Sequence, residues 1–472
     1  MNGLMHRKVI SAEPEGGAHH LKRTLGWGHL LALGVGAIVG TGIYTLVGIG
    51  AGLAGPGVIL SFIVAGAICC CAALAYAEVA TMIPASGSAY TYSYVVIGES
   101  IAWVVGWSLI LEYSLVVSAV AVGWSGYTAG FLASIGIPLP AAILAGPAAG
   151  GIINLPAVVI VFAVAGLLAL GTKESATVNA VLVVIKIAAL LVFVVAAAPA
   201  FQASHFHPFL PNGFVGTGPD GAPRGVMAAA AIIFFAFYGF DAISTAAEEA
   251  KRPERDLPIG IIGSMLACTA IYVGVAATAV GSMPYTVYAS SPEPLAMILR
   301  TLGHPNAAVL IGAAAVVALP TVILAFLFGQ SRIFFVMARD GLLPPGLAKV
   351  NARTGTPVRI TMATAVVVAL LAGVTPLAKI AALANAGTLL AFIAVSACML
   401  ILRRRAPMAR RVFRTPFAWV VGPVAILGCL YLFASLPHQT QIFFLIWNAF
   451  GLICYSGWRA LRRRNAGAPL PL

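Results

Sequence analysis

Gly34-Val35-Gly36-Ala37-Ile38-Val39-Gly40-Thr41-Gly42-Ile43-Tyr44 runs through the middle of an apolar stretch, 29–50, that is long enough to cross a bilayer. Glycine costs a helix about 1 kcal/mol relative to alanine, so the triplet Gly40-Thr41-Gly42 marks a place where a membrane helix breaks. A second stretch, 226–247, has its own irregular centre in Phe234-Phe235-Ala236-Phe237-Tyr238-Gly239-Phe240-Asp241. The two begin roughly 195 residues apart, and each opens a series of five apolar stretches. Interrupted helices at corresponding positions of two halves point to an inverted repeat with a site at its centre. Close helix packing is the simpler use of glycine. Packing alone does not account for two such helices at matching positions, one of them carrying an acid.

Around these stretches the chain is a membrane protein. It has 472 residues, 61% hydrophobic and 9% charged, where a soluble chain carries about 25% charge. Twelve apolar stretches are expected to span: 29–50, 57–82, 100–133, 155–171, 176–198, 226–247, 258–281, 306–336, 358–374, 378–402, 418–436 and 440–459. They are too long and too little alternating for a barrel, so the fold class is an all-α integral membrane protein. The net charge of +13 is explained by position. With the N-terminus in the cytoplasm, only Arg224, Arg300 and Lys379 fall outside, and Lys186 falls within a stretch. The rest are cytoplasmic, which is the positive-inside pattern and argues against a nucleic-acid partner. No cleavable leader is read at the N-terminus.

The expected organisation is a cytoplasmic tail over 1–22, a first five-helix repeat over 23–199, an external loop over 200–224, a second repeat over 225–402, two further helices over 403–464 and a disordered tail over 465–472. Pro84 to Gly98, polar and tyrosine-rich, reads as an interfacial helix on the cytoplasmic face. The seven cysteines lie in apolar stretches without disulfide or zinc spacing, and the histidines sit in loops or at helix ends, so no metal site is expected.

Lys186 stands alone in the uncharged run from Val178 to Ala198. An intramembrane lysine is a functional-site hypothesis by default. It is about ten residues, or about 15 Å, from either end of its helix, too far to snorkel. Two readings stand. It is a structural ion-pair partner of Glu112 or Asp241, or it is a switchable charge. Desolvation favours the neutral form of a buried amine, and the charged form suits the frayed carbonyls of the first stretch. Glu112 divides between a proton relay or pocket role and a structural bond. Asp241 either ties the broken backbone together or binds substrate. Glu78 and the pair Glu248-Glu249, near helix ends, read as gate or surface residues.

A broken helix exposes N–H groups on one side and carbonyls on the other, and the membrane core offers them no water. An α-amino acid is the complement of such a break. Its carboxylate suits the small turn Gly40, Thr41 and Gly42, with Ile43 next to it among the expected substrate-binding residues. Its ammonium suits the carbonyls of Ile38 and of Phe235, Ala236, Phe237 and Tyr238. The substrate side chain then faces Phe235, Phe237, Tyr238 and the third stretch.

These residues carry a resemblance. Gly34 to Tyr44, Ala85 to Tyr92, Trp107 to Tyr113, Phe234 to Thr245, Gly329 to Arg332 with Met337 to Gly341, Asn385 to Leu389 and Phe413 to Pro416 follow in order the pattern of the amino acid–polyamine–organocation superfamily. Within it, the chain resembles bacterial members of the cationic amino acid transporter family. The resemblance implies a leucine-transporter-like five-plus-five inverted repeat and uptake of L-amino acids across the plasma membrane, the bacterial inner membrane. It implies a proton, not sodium, as coupling ion, no cofactor, and no enzymatic activity. The helix 5 lysine of the family falls on Lys186, the carboxylate-binding turn on Thr41 and Gly42, the amine-binding carbonyls on Ile38, Phe235 and Tyr238, and the acids of helices 3 and 6 on Glu112 and Asp241. Ser108 departs from relatives with an acid there, which weakens any preference for cationic side chains. Pro320 departs from relatives with a hydroxyl and is expected to interrupt helix 8.

Proton-coupled symport is the leading expectation, with cationic amino acid exchange as the alternative. A channel would need a continuous polar stripe or charged ring, and an enzyme a His-rich or paired-Asp constellation; neither is read. A sensor that binds amino acids without moving them stays open as a reading, though no signalling domain is read. Oligomeric state is not read from the sequence.

Overall fold

The structure, a computed structural model, describes residues 25–83, 87–170, 176–219, 221–245, 250–344, 346 and 357–466. Among them every apolar stretch named above is helical. In chain order the helices are α1 (Trp27–Ile38), α2 (Thr41–Tyr44), α3 (Leu46–Ala54), α4 (Val58–Met82), α5 (Ser88–Val96), α6 (Glu99–Ser134), α7 (Leu155–Ala169), α8 (Ala176–Ala197), α9 (Val226–Ile233), α10 (Phe240–Thr245), α11 (Pro253–Ser282), α12 (Tyr285–Tyr288), α13 (Pro294–Thr301), α14 (Pro305–Arg339), α15 (Val358–Val374), α16 (Leu377–Arg405), α17 (Ala418–Ala434) and α18 (His438–Ala466). Among the described residues, seven helical stretches are long and apolar enough to cross a membrane, and five more apolar helices are shorter. The segment before α9 adds a two-residue ribbon, Gly216–Thr217 against Pro223–Arg224; among the described residues the remaining strand-type pairing is a single bridge from Leu25 to Ala250.

The long helices pack around α6. It contacts α14, α16, α15, α7, α5 and α18, and most of its length is buried. One face of α8 points outward through Val181, Val184, Leu191 and Val195, while Val183, Lys186, Leu190 and Phe193 are buried on the other. That is the division expected of a helix with lipid on one side and protein on the other. The last helix docks on α6 through tryptophan. The indole N–H of Trp107 donates to the Trp447 carbonyl and that of Trp447 to the Trp107 carbonyl, with the rings stacked 4.8 Å apart.

Pro320 does not interrupt its helix. α14 runs unbroken from Pro305 to Arg339. A mid-helix proline removes the bond to the carbonyl four residues back, here Val316. The Trp124 indole on α6 donates to that carbonyl at 2.9 Å and so satisfies it. Glu78 is neither a surface nor a free gate residue. It is buried at the end of α4, where Arg403 grips both its oxygens at 2.8 and 2.6 Å, Arg411 reaches it at 3.2 Å and the Thr415 N–H donates at 2.8 Å. The connection after α16 is folded back onto α4 by this carboxylate. Glu248 and Glu249, the residues 84–86 of the interfacial segment and the tail 1–22 lie outside the described residues. α5 supplies the expected helix after residue 87, largely buried. α18 continues through Ala466, past the point where the terminal tail was expected to begin; residues 467–472 lie outside the described set.

Candidate functional site

The first and sixth apolar stretches are both interrupted. Between α1 and α2 the chain leaves the helix at Val39 (ψ 96°) and is extended at Gly40 (φ −145°, ψ −153°). After α9 a tight turn, Phe234–Phe237, leads to an extended Tyr238 and to Gly239 at φ +106°. That left-handed angle is open to glycine and strained for other residues.

The breaks fit into each other. A Cβ on Gly42 would lie 2.3 Å from the Ala236 Cα, and one on Gly239 would lie 2.6 Å from the Ala37 Cβ. Two backbones approach this closely only because glycine has no side chain. On α6, Gly123 makes the same allowance for Thr41, whose methyl would lie 2.2 Å from an added Cβ.

Between the breaks is a cavity of about 10 Å3, room for one water. Ala37, Ile38, Gly40, Thr41 and Gly42 line it from the first stretch, Phe235 and Tyr238 from the sixth, Val116 and Val120 from α6, and Val322 and Phe326 from α14. Of the residues singled out from sequence, Ile38, Gly40, Thr41, Gly42, Phe235 and Tyr238 are therefore neighbours across one space. Ile43 is fully buried behind it. Ala236 is the surface on which Gly42 rests, and Phe237 turns away to pack on Phe62 and Tyr272. The Ile38 carbonyl already accepts from the Tyr272 hydroxyl at 2.8 Å, which leaves it one lone pair.

Lys186 is 1% exposed. Its Nζ donates to the Gly36 carbonyl, near the end of α1, at 2.8 Å and to the Thr321 hydroxyl of α14 at 3.3 Å. A neighbouring tyrosine fixes the same region: Tyr44 donates to the Lys186 carbonyl at 3.1 Å. The lysine thus bridges the first interrupted helix to α14. Glu112 and Asp241 form a second polar group. Asp241, in the first turn of α10, accepts from the Tyr113 hydroxyl at 3.4 Å. Glu112, 2% exposed, has Thr388 and Asp241 for neighbours, and among the described residues its Oε2 has no hydrogen-bond partner. Ser108 faces elsewhere: its hydroxyl donates to Asn448 of α18 at 3.0 Å, so an acid or a hydroxyl there does not address the cavity.

Sequence reading missed Asn385 as a site residue. It is buried on α16 and bonds to both sides of the second break. It is the one amide in its apolar stretch, so the argument that singled out Lys186 applied to it equally. Val116 and Val120 lie on the third stretch, which was expected to face the substrate side chain, but were not singled out; no sequence signal marked Tyr272, Thr321 or Val322.

With this geometry in view, comparison with known proteins identifies the family. The family model described as amino acid permease matches residues 25–454. This chain is an amino acid permease by family. The branched-chain amino acid permease BcaP of Bacillus subtilis is 46% identical to the permease over 464 residues, 96% of this chain and 97% of the relative. The methylthioribose transporter of the same organism is 40% identical over 461 residues. The vacuolar cationic amino acid transporter 2 of Arabidopsis thaliana is 40% identical over 408 residues, 85% of this chain and 63% of the relative. The permease is a multi-pass membrane transporter and not an enzyme.

Proposed function

We propose that the permease carries aliphatic L-amino acids of branched-chain size across the plasma membrane by proton-coupled symport. The observation that supports this most is the wall of the cavity: Val116, Val120, Val322, Phe235 and Phe326 offer apolar surface, and no acid is among the lining residues. Such a wall favours an aliphatic side chain over a cationic one, because burying an unpaired charge costs several kcal/mol. The zwitterionic end is assigned to the two breaks, with the carboxylate at Thr41 and Gly42 and the ammonium near the carbonyls of Ile38 and Phe235. The similarity to BcaP supports the same substrate class.

The proposed architecture is twelve spans with both termini cytoplasmic, ten of them in two inverted sets of five over 23–199 and 225–402, and two added over 403–464. The size of the cavity supports alternating access. Space for one water does not admit an amino acid, so the interrupted helices must part from α6 and α14 to load and unload. Lys186 is positioned to report that motion, since it spans α1 and α14. When the amine is charged it holds the end of α1 against α14; when it loses its proton the grip weakens. Glu112 is a second candidate to carry the coupled proton, and Asp241 a support for the second break. In this reading the ammonium of Lys186 takes the role of a bound cation, and no sodium is used.

Uptake into proteoliposomes tests the reading. Labelled leucine, valine, alanine, arginine and methylthioribose are offered with and without an inward proton gradient. Gradient-driven accumulation of leucine and valine is expected. Arginine uptake that needs an internal counter-substrate and ignores the gradient would instead make the permease a cationic exchanger.

A further inference from the structure

We propose that Asn385 is a positioning residue that sets Tyr238 against the substrate by clasping both sides of the second break. The inference rests on the transport reading above and deepens it. α16 brings the Asn385 amide to the end of α9. There its Nδ2 donates to the carbonyls of Ala231 at 2.5 Å and Ile232 at 3.0 Å, while its Oδ1 accepts from the Tyr238 hydroxyl. The orientation of the amide is dictated by its partners. Two carbonyls can only accept, so the nitrogen must face them, and the oxygen is left for the one group that can donate. Asn385 is fully buried and Tyr238 is 3% exposed.

The arrangement answers a specific need. The last carbonyls of a helix that stops within the membrane lack their usual donors four residues on and have no water. A single amide on a neighbouring helix supplies two donors at once. Its remaining oxygen then fixes the ring of Tyr238, the extended residue at which the broken stretch turns back toward α10 and which lines the cavity. Neither aspartate nor alanine can do both. Aspartate keeps the acceptor but presents oxygen to the carbonyls; alanine loses all three bonds. The pair Asn385 and Tyr238 is therefore one unit, and a change in either should be felt by the substrate through the position of the ring.

The test is a double-mutant cycle on uptake in proteoliposomes, using whichever labelled amino acid the wild-type permease accumulates. A wild-type protein that accumulates none of the panel defeats the transport reading and is seen before any variant is made. Tyr238→Phe removes only the hydroxyl and should fold. Asn385→Ala and Tyr238→Phe are each expected to raise KM about tenfold with maximal rate little changed, and the double variant to be no worse than the more affected single one, the mark of a shared interaction. Additive effects in the cycle, or a Tyr238→Phe permease with unaltered KM, would overturn the proposal. Asn385→Gln covers the case in which alanine does not accumulate in the membrane: its longer amide shifts the ring, and the same KM rise is expected, whereas wild-type KM would overturn the proposal.

Discussion

The two helix breaks solve one physical problem in two ways. Both leave backbone groups unpaired in the membrane core, and both are answered by a side chain from a neighbouring helix. The first break is small-walled, and a lysine and a tyrosine, Lys186 and Tyr272, answer its carbonyls at Gly36 and Ile38. The second is aromatic-walled, and a neutral amide, Asn385, answers carbonyls of Ala231 and Ile232. Lysine can gain and lose a proton and asparagine cannot. On the proposed symport reading, this difference makes Lys186 beside the first break the leading proton-sensitive group, with Glu112 the second candidate, and gives Asn385 a purely geometric part at the second.

Lys186→Met probes the difference most severely. It should reduce gradient-driven accumulation by about a hundredfold, the upper range of a typical coupling between two sites, while counterflow without a gradient survives. Accumulation that still follows an imposed pH gradient in this variant would erase the distinction between the breaks. Gly42→Val comes next. The added side chain meets the Ala236 backbone at 2.3 Å, and overpacking of about 1–3 kcal/mol should weaken substrate binding roughly tenfold to a hundredfold in a scintillation-proximity assay. Unchanged affinity would mean the breaks need not touch.

Gly40→Ala is the contrast within the same turn. Its added Cβ would find only Val322, at 3.6 Å, and the extended backbone there suits any residue. Substrate affinity should change by no more than about threefold, within the modest range of a compatible glycine-to-alanine change; a loss as large as that of Gly42→Val would show that Gly40 itself touches the substrate. The smallest effect is expected from Ser108→Ala. The residue bonds to Asn448 on the far side of α6, so the ratio of leucine to arginine uptake should stay within about twofold. A larger shift in that ratio would return Ser108 to the pocket.

Much of this architecture was legible in the sequence because the membrane enforces local rules. Twenty apolar residues announce a span, glycine clusters announce the breaks, and a lone Lys186 announces a buried charge. The less legible features depend on which helix faces which. Pro320 looked like an interruption because sequence does not show Trp124 waiting beside the freed Val316 carbonyl. Glu78 looked like a surface acid because Arg403 and Arg411, more than three hundred residues later, return to it only in the folded chain. Phe237 looked like a pocket residue because its neighbours Phe235 and Tyr238 are; the turn of backbone between them sends its ring to Phe62 and Tyr272.

Sequence by itself determined that the chain is helical, lies in a membrane, and breaks two helices near a buried lysine, since solvation and backbone bonding act residue by residue along the chain. Only the tertiary structure decided the partners: Gly36 and Thr321 for Lys186, Asn385 for the second break, Ala236 beneath Gly42. Those choices follow from close approach between helices far apart in sequence, and close approach is a property of the packed bundle.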